Sequence, residues 1–263
     1  MTSDLELIKA AAAEAGALAL RLHRDGAVKV WSKAGGSPVT NADLEVDELL
    51  RDRLIGARPD YGWLSEETAD DNSRLSARRV FVVDPIDGTR AYAHGRPWWT
   101  VCVAVVEDGV PIAGVLVAAA VDETYEAALG GGARLNGKII SVSSRTELDG
   151  ASLLADARFL RRPDWPRPWP DDLTIETRNS VAYRMGLTGA GAFDGVVALS
   201  SKCDWDIAAA DLIVREAGGL VTDHLGREFR YNRPSIRKRS LICAGPGLHA
   251  LILKRVSHIE LPN

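Results

Sequence analysis

Between Arg79 and Gly137 the chain is a succession of short apolar stretches separated by turn residues, and this constrains the fold more than any other part of its 263 residues. Val80–Asp84, Thr100–Glu107, Ile112–Ala119 and Tyr125–Leu129 are rich in strand formers, with Asp108-Gly109 and Asn136-Gly137 at turn positions. Residue pairs that tolerate positive φ close tight hairpins, so consecutive strands of this kind predict an antiparallel sheet. Two helices are expected ahead of it. Ser3 and Glu6 form a capping box before Ile8, Ala12, Ala15, Leu18 and Leu22, and Thr40 with Asp43 forms a second before Val46, Leu49, Leu50 and Leu54. Beyond about Asp149 the pattern alternates. Strand Ser152–Ala155, a helix near Ser180–Thr188, strand Gly195–Leu199 and a helix over Ile207–Ala217, stopped by Gly218-Gly219, lead to strands Leu220–Thr222 and Ser240–Ala244 and a last helix. The expected class is α/β in the broad α+β sense, with two sheets. The chain is expected to divide into residues 1–149, helices plus antiparallel sheet, and residues 150–263, a sheet-and-helix unit.

Charge and composition exclude several functions. Thirty-two Lys and Arg against 36 Asp and Glu leave a net charge of -4, so no global basic field attracts nucleic-acid polymers or membrane surfaces. The longest apolar stretch, Val110 to Val121, falls short of the ~20 residues a membrane helix needs. The amino terminus reads as a helix without a cleavage site, and a cytoplasmic location is expected. Cys102, Cys203 and Cys243 are odd in number, far apart and near apolar runs, which predicts buried reduced thiols rather than disulfides or a zinc site. The five histidines show no ligand spacing.

The chemistry concentrates in Val80–Thr89, VFVVDPIDGT, where a strand runs into Asp84 and a second carboxylate, Asp87, follows. Two carboxylates three residues apart at a strand end can converge. Pro85 fixes the backbone after Asp84, and Gly88 removes the side chain where backbone amides must approach a ligand, so cations and a phosphate can share this corner. Read as two unrelated turns, the string is explained only in halves. Leu64-Ser65-Glu66-Glu67 upstream and Asp204-Trp205-Asp206 downstream are weak alone, because acidic residues at helix starts usually complement the dipole. Together with Asp84 and Asp87 they offer the all-oxygen ligands that suit magnesium. The rival chemistry, an aspartyl-phosphate phosphatase, needs Asp-x-Asp before Gly-Thr; here Pro85 and Ile86 separate the carboxylates, and Glu66 and Asp206 would be unexplained.

SPVTNAD (37–43), LSEE (64–67), DPIDGT (84–89) and DWDIAAAD (204–211) resemble, in order and spacing, the successive signatures of the inositol monophosphatase superfamily. The resemblance extends from the first helix into Asp223. It implies a layered α/β/α/β/α fold and magnesium-dependent, lithium-sensitive hydrolysis of small phosphate monoesters, with two or three ions per site. It further implies Glu66, Asp84 and the Ile86 carbonyl as ligands of one ion, and Asp84, Asp87 and Asp206 around a second. A third, weaker ion would share Glu66. Thr89 with Asp43 is implied to orient the attacking water, the Gly88 and Thr89 amides to hold phosphate oxygens, and Lys33 to lie near the site. Bound divalent cations acidify water and stabilise the leaving oxygen, so no protein nucleophile is required.

The metal site does not distinguish the superfamily's substrates. The wording of SPVTNAD and LSEE is similar to that of the 3′(2′),5′-bisphosphate nucleotidases. The Glu that inositol-hydrolysing members carry before Trp-Asp has no counterpart between Gly195 and Cys203, where Lys202 stands instead. Arg184 falls near a basic position of the nucleotidases, although their Gly-Ser is Asn179-Ser180 here. A basic run, Arg227 to Arg239, supplies a second phosphate's charge if it faces the site and is otherwise a solvated loop. On this reading 3′-phosphoadenosine 5′-phosphate ranks ahead of inositol 1-phosphate, with a non-catalytic sensor of a phosphorylated metabolite as the non-enzyme alternative. Arg162–Pro170, RPDWPRPWP, excludes regular helix and predicts a loop that packs its indoles, or else a lid or partner contact. The expected partner is a small phosphorylated metabolite, and a homodimer is permitted.

Overall fold

The computed structural model describes residues 2–33, 36–162 and 165–261. Helices α1 (Asp4–Arg24) and α2 (Asn41–Ala57) flank a small hairpin of β1 (Val30–Ser32) and β2 (Pro38–Thr40). Both expected capping boxes are formed, Ser3 with Glu6 and Thr40 with Asp43. A seven-stranded sheet follows in sequence order: β3 (Gly62–Ser65), β4 (Arg79–Asp87), β5 (Thr100–Glu107), β6 (Val110–Ala118), β7 (Glu123–Ala128), β8 (Ala133–Leu135) and β9 (Lys138–Ile139). The short helix α3 (Thr89–Ala93) leaves the end of β4. The expected antiparallel pairing holds from β4 onward, but β3 lies parallel to β4, so the sheet is mixed at one edge. Positive φ at Asp108 and Gly109, and at Asn136 and Gly137, closes the two expected hairpins.

The rest of the chain comprises β10 (Ser152–Ala155), α4 (Ala157–Leu160), β11 (Thr174–Glu176), α5 (Val181–Gly189), β12 (Gly195–Ala198), β13 (Lys202–Cys203), α6 (Asp204–Glu216), β14 (Leu220–Thr222), β15 (Arg237–Lys238), β16 (Leu241–Ala244) and α7 (Pro246–Val256). Five of these strands form a second sheet in the order β11-β10-β12-β16-β14, while β13 and β15 pair separately. Five layers result, because each sheet is apolar on both faces and must be covered twice. Along β4, Phe81 and Val83 face α1 and α2, whereas Val80 and Val82 face the opposite way, toward α5 and α6. The second sheet's Val196 and Cys243 close that middle layer, and its Leu153, Val197 and Ile242 pack on α7.

Helix α6 approaches β6 closely because Gly114 has no side chain: a Cβ there would stand 2.8 Å from the Ala209 carbonyl oxygen. The small residues Ala208, Ala209 and Ala210 form the matching surface of the helix. This contact fixes how far α6 can advance, and hence where its first turn ends.

Of the Pro-rich loop, Pro163 and Asp164 lie outside the described residues. Trp165 and Trp169 are buried against the α7 layer, edge to face with each other, so the loop packs its indoles. The three cysteines are unpaired, Cys102 and Cys243 buried and Cys203 partly so. Among the described residues no helix is long and apolar enough to cross a membrane.

Candidate active site

Strand β4 carries Asp84 to the edge of the sheet, and its register against β5 shifts between Asp84 and Asp87. Unbroken alternation would send side chains three residues apart to opposite faces; the shift lets both carboxylates reach one cleft. That cleft, about 200 Å³, is lined by Glu66, Asp84, Asp87, Gly88, Thr89 and Asp206, with Ser37, Pro38, Arg90 and Asn179 at its rim. Carboxylate oxygens of Glu66, Asp84 and Asp206 lie within 4.8 Å of one another. They come from the end of β3, from β4 and from the first turn of α6.

Asp87 borders this trio without joining its tightest group. Its Oδ2 accepts from the Ser180 hydroxyl at 2.6 Å and from the Ala182 amide at 2.7 Å, which ties it to the first turn of α5. Among the described residues its other oxygen carries no such bond. Asp206 is divided in the same way: Oδ2 accepts from the Cys203 amide at 2.7 Å, capping α6. Asp84 Oδ1 accepts from the Ile86 amide at 3.1 Å.

On the opposite side, Thr89 Oγ1 lies 3.1 Å from Asp43 Oδ1 and 3.1 Å from the Ile86 carbonyl. A hydroxyl has one proton to give, so it serves one acceptor at a time and keeps a lone pair for a donor such as water. Asp43 is held for this task by its capping role, since its Oδ2 takes the Thr40 amide at 2.8 Å and the Thr40 hydroxyl at 2.6 Å. Gly88 turns the chain between the two halves with φ +95°. A Cβ there would stand 2.8 Å from the Trp98 carbonyl oxygen, so only glycine fits.

The electrostatics are those of crowded like charges. Burial, followed by the charges of Glu66, Asp87 and Asp206, raises Asp84 well above the ordinary carboxylate range. Burial pushes Asp87 to about 6 against the opposing bonds from Ser180 and Ala182, and burial with the Asp87 charge pushes Asp206 to about 7. Asp43 is also raised by burial, against its hydrogen bonds. At 4.8 Å and an effective dielectric of about 20, one pair of like charges repels by about 3 kcal/mol, more than a typical hydrogen bond returns. Lys33 relieves only the rim, donating to Glu66 Oε1 at 2.8 Å and Glu67 Oε1 at 2.7 Å. Burial lowers the Lys33 pKa, but these two bonds outweigh it and the net shift is upward. Glu67 is raised by burial to about 7. A hard divalent cation fits this donor set, because the converging atoms are all carboxylate oxygens and their charge is otherwise unbalanced.

A pH-dependent response to magnesium follows. With Asp87 and Asp206 raised, the folded protein holds protons that the unfolded chain releases above its ordinary carboxylate pKa of about 4. The resulting stabilisation is fully present below that pKa and is lost as pH rises through about 6 and 7. Magnesium is therefore expected to raise Tm by about 5 °C or more near pH 8, and by much less near pH 5. Thermal denaturation with magnesium and with a chelator at both pH values checks this.

Other nominated residues fall outside the cleft. Neither Arg184 nor Lys202 lines it, and Arg184 stands beside a different cavity. None of the basic residues from Arg227 to Arg239 lines the cleft. Pairing of β15 with β13 sets Lys238 opposite Lys202, and its ammonium reaches Asp204 at 2.7 Å; Arg239 donates to the Leu261 carbonyl, and Arg230 lines a separate cavity. Of the two readings of this run, the one in which it faces the site is therefore set aside. Sequence reading overlooked Ser180 as the residue that orients Asp87. Its one legible signal was its place as N-cap of the expected helix, where the hydroxyl also accepts the Tyr183 amide at 2.9 Å.

A sequence model described as the inositol monophosphatase family matches residues 2–261. A histidinol-phosphatase of Chlorobaculum parvum is 34% identical over 233 residues, 87% of this chain and 88% of that protein. An inositol-1-monophosphatase of Rhizobium meliloti is 32% identical over 243 residues, 90% of this chain and 88% of that one. Among solved structures, an IMPase of Thermotoga maritima superposes with a TM-score of 0.81 at 30% identity, covering 94% of this chain and 93% of the other.

Proposed function

Since the chain belongs to the inositol monophosphatase family, we propose that it is a magnesium-dependent hydrolase of small phosphate monoesters with Glu66, Asp84 and Asp206 at the core of its ion seat. The observation that carries this reading is the convergence of those three carboxylates beside the Thr89–Asp43 pair. Asp87 and the Ile86 carbonyl complete the oxygen donors available to further ions. When bound, magnesium supplies positive charge that acidifies water and offsets the charge of the ester oxygens.

The chain's own residues do the rest. Thr89 Oγ1 accepts a hydrogen bond from the attacking water and donates its own proton toward Asp43 Oδ1, so the water is aimed and its proton has a destination. The Gly88 and Thr89 amides, at the start of α3, would hold phosphate oxygens. Lys33 keeps Glu66 turned toward the cleft.

Inositol 1-phosphate and histidinol phosphate are the first substrates to consider, because similar proteins carry the names inositol-1-monophosphatase and histidinol-phosphatase. 3′-Phosphoadenosine 5′-phosphate is the second reading. It is favoured by Leu199, which lines the neighbouring cavity within a stretch, Gly195 to Cys203, that has no carboxylate to bind sugar hydroxyls. The basic run no longer supports it, and the names of the relatives set only the order of assay, not the preference of the site among alcohols. Phosphate release from these three esters and fructose 1,6-bisphosphate tests the proposal. At least one is expected to be hydrolysed with magnesium, with loss on chelation and inhibition by lithium; hydrolysis of none defeats the reading.

A further inference from the structure

Arg184 stands on the second turn of α5, yet its guanidinium folds back to the first turn, where Nε donates to the Ser180 carbonyl at 3.3 Å. Helical side chains lean toward the amino terminus, so this reach is without strain. The guanidinium is thereby bonded to the residue that follows Asn179, through which this part of the chain lines the acidic cleft. Among the described residues Arg184 forms no salt bridge. Lys202 is in the same position: its Nζ bonds to the Ser200 carbonyl and hydroxyl and to the Ser201 carbonyl, and to no carboxylate.

Beside Arg184 opens a cavity of about 170 Å³ that it lines with Asp156, Phe159, Leu160, Leu199 and Ser200. Asp156, the carboxylate on its wall, is already paired with Arg158 at 3.1 Å and leaves Arg184 unbalanced. Burial lowers the pKa of both cations, and Lys202 is lowered further by Arg184. Asp87 attracts both, and Asp206 attracts Lys202. Those carboxylates belong to the ion seat, so divalent charge bound there would cancel their attraction. Arg184 would then face the cavity with no salt-bridge partner among the described residues and with the positive charge of Lys202 acting on it, a costly arrangement unless a ligand supplies the counter-charge.

We propose that this cavity receives the alcohol part of the substrate and that Arg184, backed by Lys202, selects alcohols bearing a second anionic group, a carboxylate or a phosphate, over neutral ones. The selection rests on the phosphatase reading above. The guanidinium fork matches either anion in two-point contact, and the Ser180 carbonyl it bonds follows Asn179, which lines the cleft that would hold the phosphate under hydrolysis.

Two matched pairs of esters test it: 2-phosphoglycerate against glycerol 2-phosphate for a carboxylate, and inositol 1,4-bisphosphate against inositol 1-phosphate for a phosphate. The parent protein is expected to prefer the more anionic ester of at least one pair by about tenfold or more in kcat/KM, chiefly through KM. Arg184→Gln should lose that preference, and Arg184→Lys should recover part of it, which a purely structural arginine would not produce. Equal kcat/KM within both pairs, or a preference that survives in Arg184→Gln, overturns the proposal. Should no ester be hydrolysed, the phosphatase reading fails by itself. The same preference is then read from calorimetric affinities for the four esters with magnesium present, where equal affinities overturn the selection and a preference lost in Arg184→Gln sustains it.

Discussion

Replacing Asp84 by Asn is expected to lower kcat/KM by about 10³-fold or more while raising the Tm of the metal-free protein. Both effects have one origin. Asp84 is the most deeply buried of the converging carboxylates and takes the repulsion of Glu66, Asp87 and Asp206 together. Asparagine has nearly the same shape and keeps an oxygen for the Ile86 amide, so the strand end should survive. The loss is one negative charge at the centre of the ion seat, and the charge stabilisation forfeited is several kcal/mol, about a decade of rate for each 1.4 kcal/mol. Without an ion, the same loss of charge relieves the repulsion. Two measurements decide the matter: steady-state hydrolysis with saturating magnesium, and thermal denaturation with a chelator. A variant that retains parental activity would remove Asp84 from the ion seat, and one that melts well below the parent in chelator would mean its charge is stabilising.

Thr89→Ala is expected to reduce kcat by about 10²- to 10³-fold with little change in KM, the size of effect attributed to a positioned proton acceptor. The Thr89 hydroxyl links the cleft to Asp43, and among the described residues no other side chain donates to Asp43 Oδ1; alanine leaves that oxygen without its donor while Thr40 still holds Oδ2. Thr89→Ser, which restores the hydroxyl, should recover most of the rate. If serine is as poor as alanine, the methyl group or the helix start matters rather than the proton relay. An equal fall in magnesium-induced stabilisation for Thr89→Ala would point instead to damage of the ion seat.

Local chemistry was the part of the fold legible in the sequence. The capping boxes of Ser3 with Glu6 and Thr40 with Asp43, and the positive-φ pairs Asp108-Gly109 and Asn136-Gly137, each act within a few residues, and each is present in the structure. Where an outcome depends on which distant segment lies alongside, the sequence was silent or misleading. Nothing within Gly62–Ser65 specifies parallel pairing with β4, and nothing within Arg227–Arg239 specifies that Lys238 reaches Asp204 rather than the cleft.

The candidate site divides in the same way. Glu66, Asp84 and Asp206 could be nominated from separate segments because concentrated negative charge demands a counter-ion, and their oxygens do converge. That Ser180 and Ala182 engage one oxygen of Asp87, and that Arg184 folds back to the Ser180 carbonyl and lines a separate cavity, depends on the seating of α5 and has no signature along the chain.

The close contact of Ala209 with Gly114 sets when, during its making, this protein can first become active. A growing chain that has emerged from the ribosome through α3 already possesses Glu66, Asp84, Asp87 and Thr89, yet the sixth helix is still unmade and Asp206 with it. With Asp206 part of the proposed ion seat, partly synthesised molecules and amino-terminal fragments are expected to be inert toward the phosphorylated metabolites around them, and catalysis to begin only once a late segment has docked onto an early one.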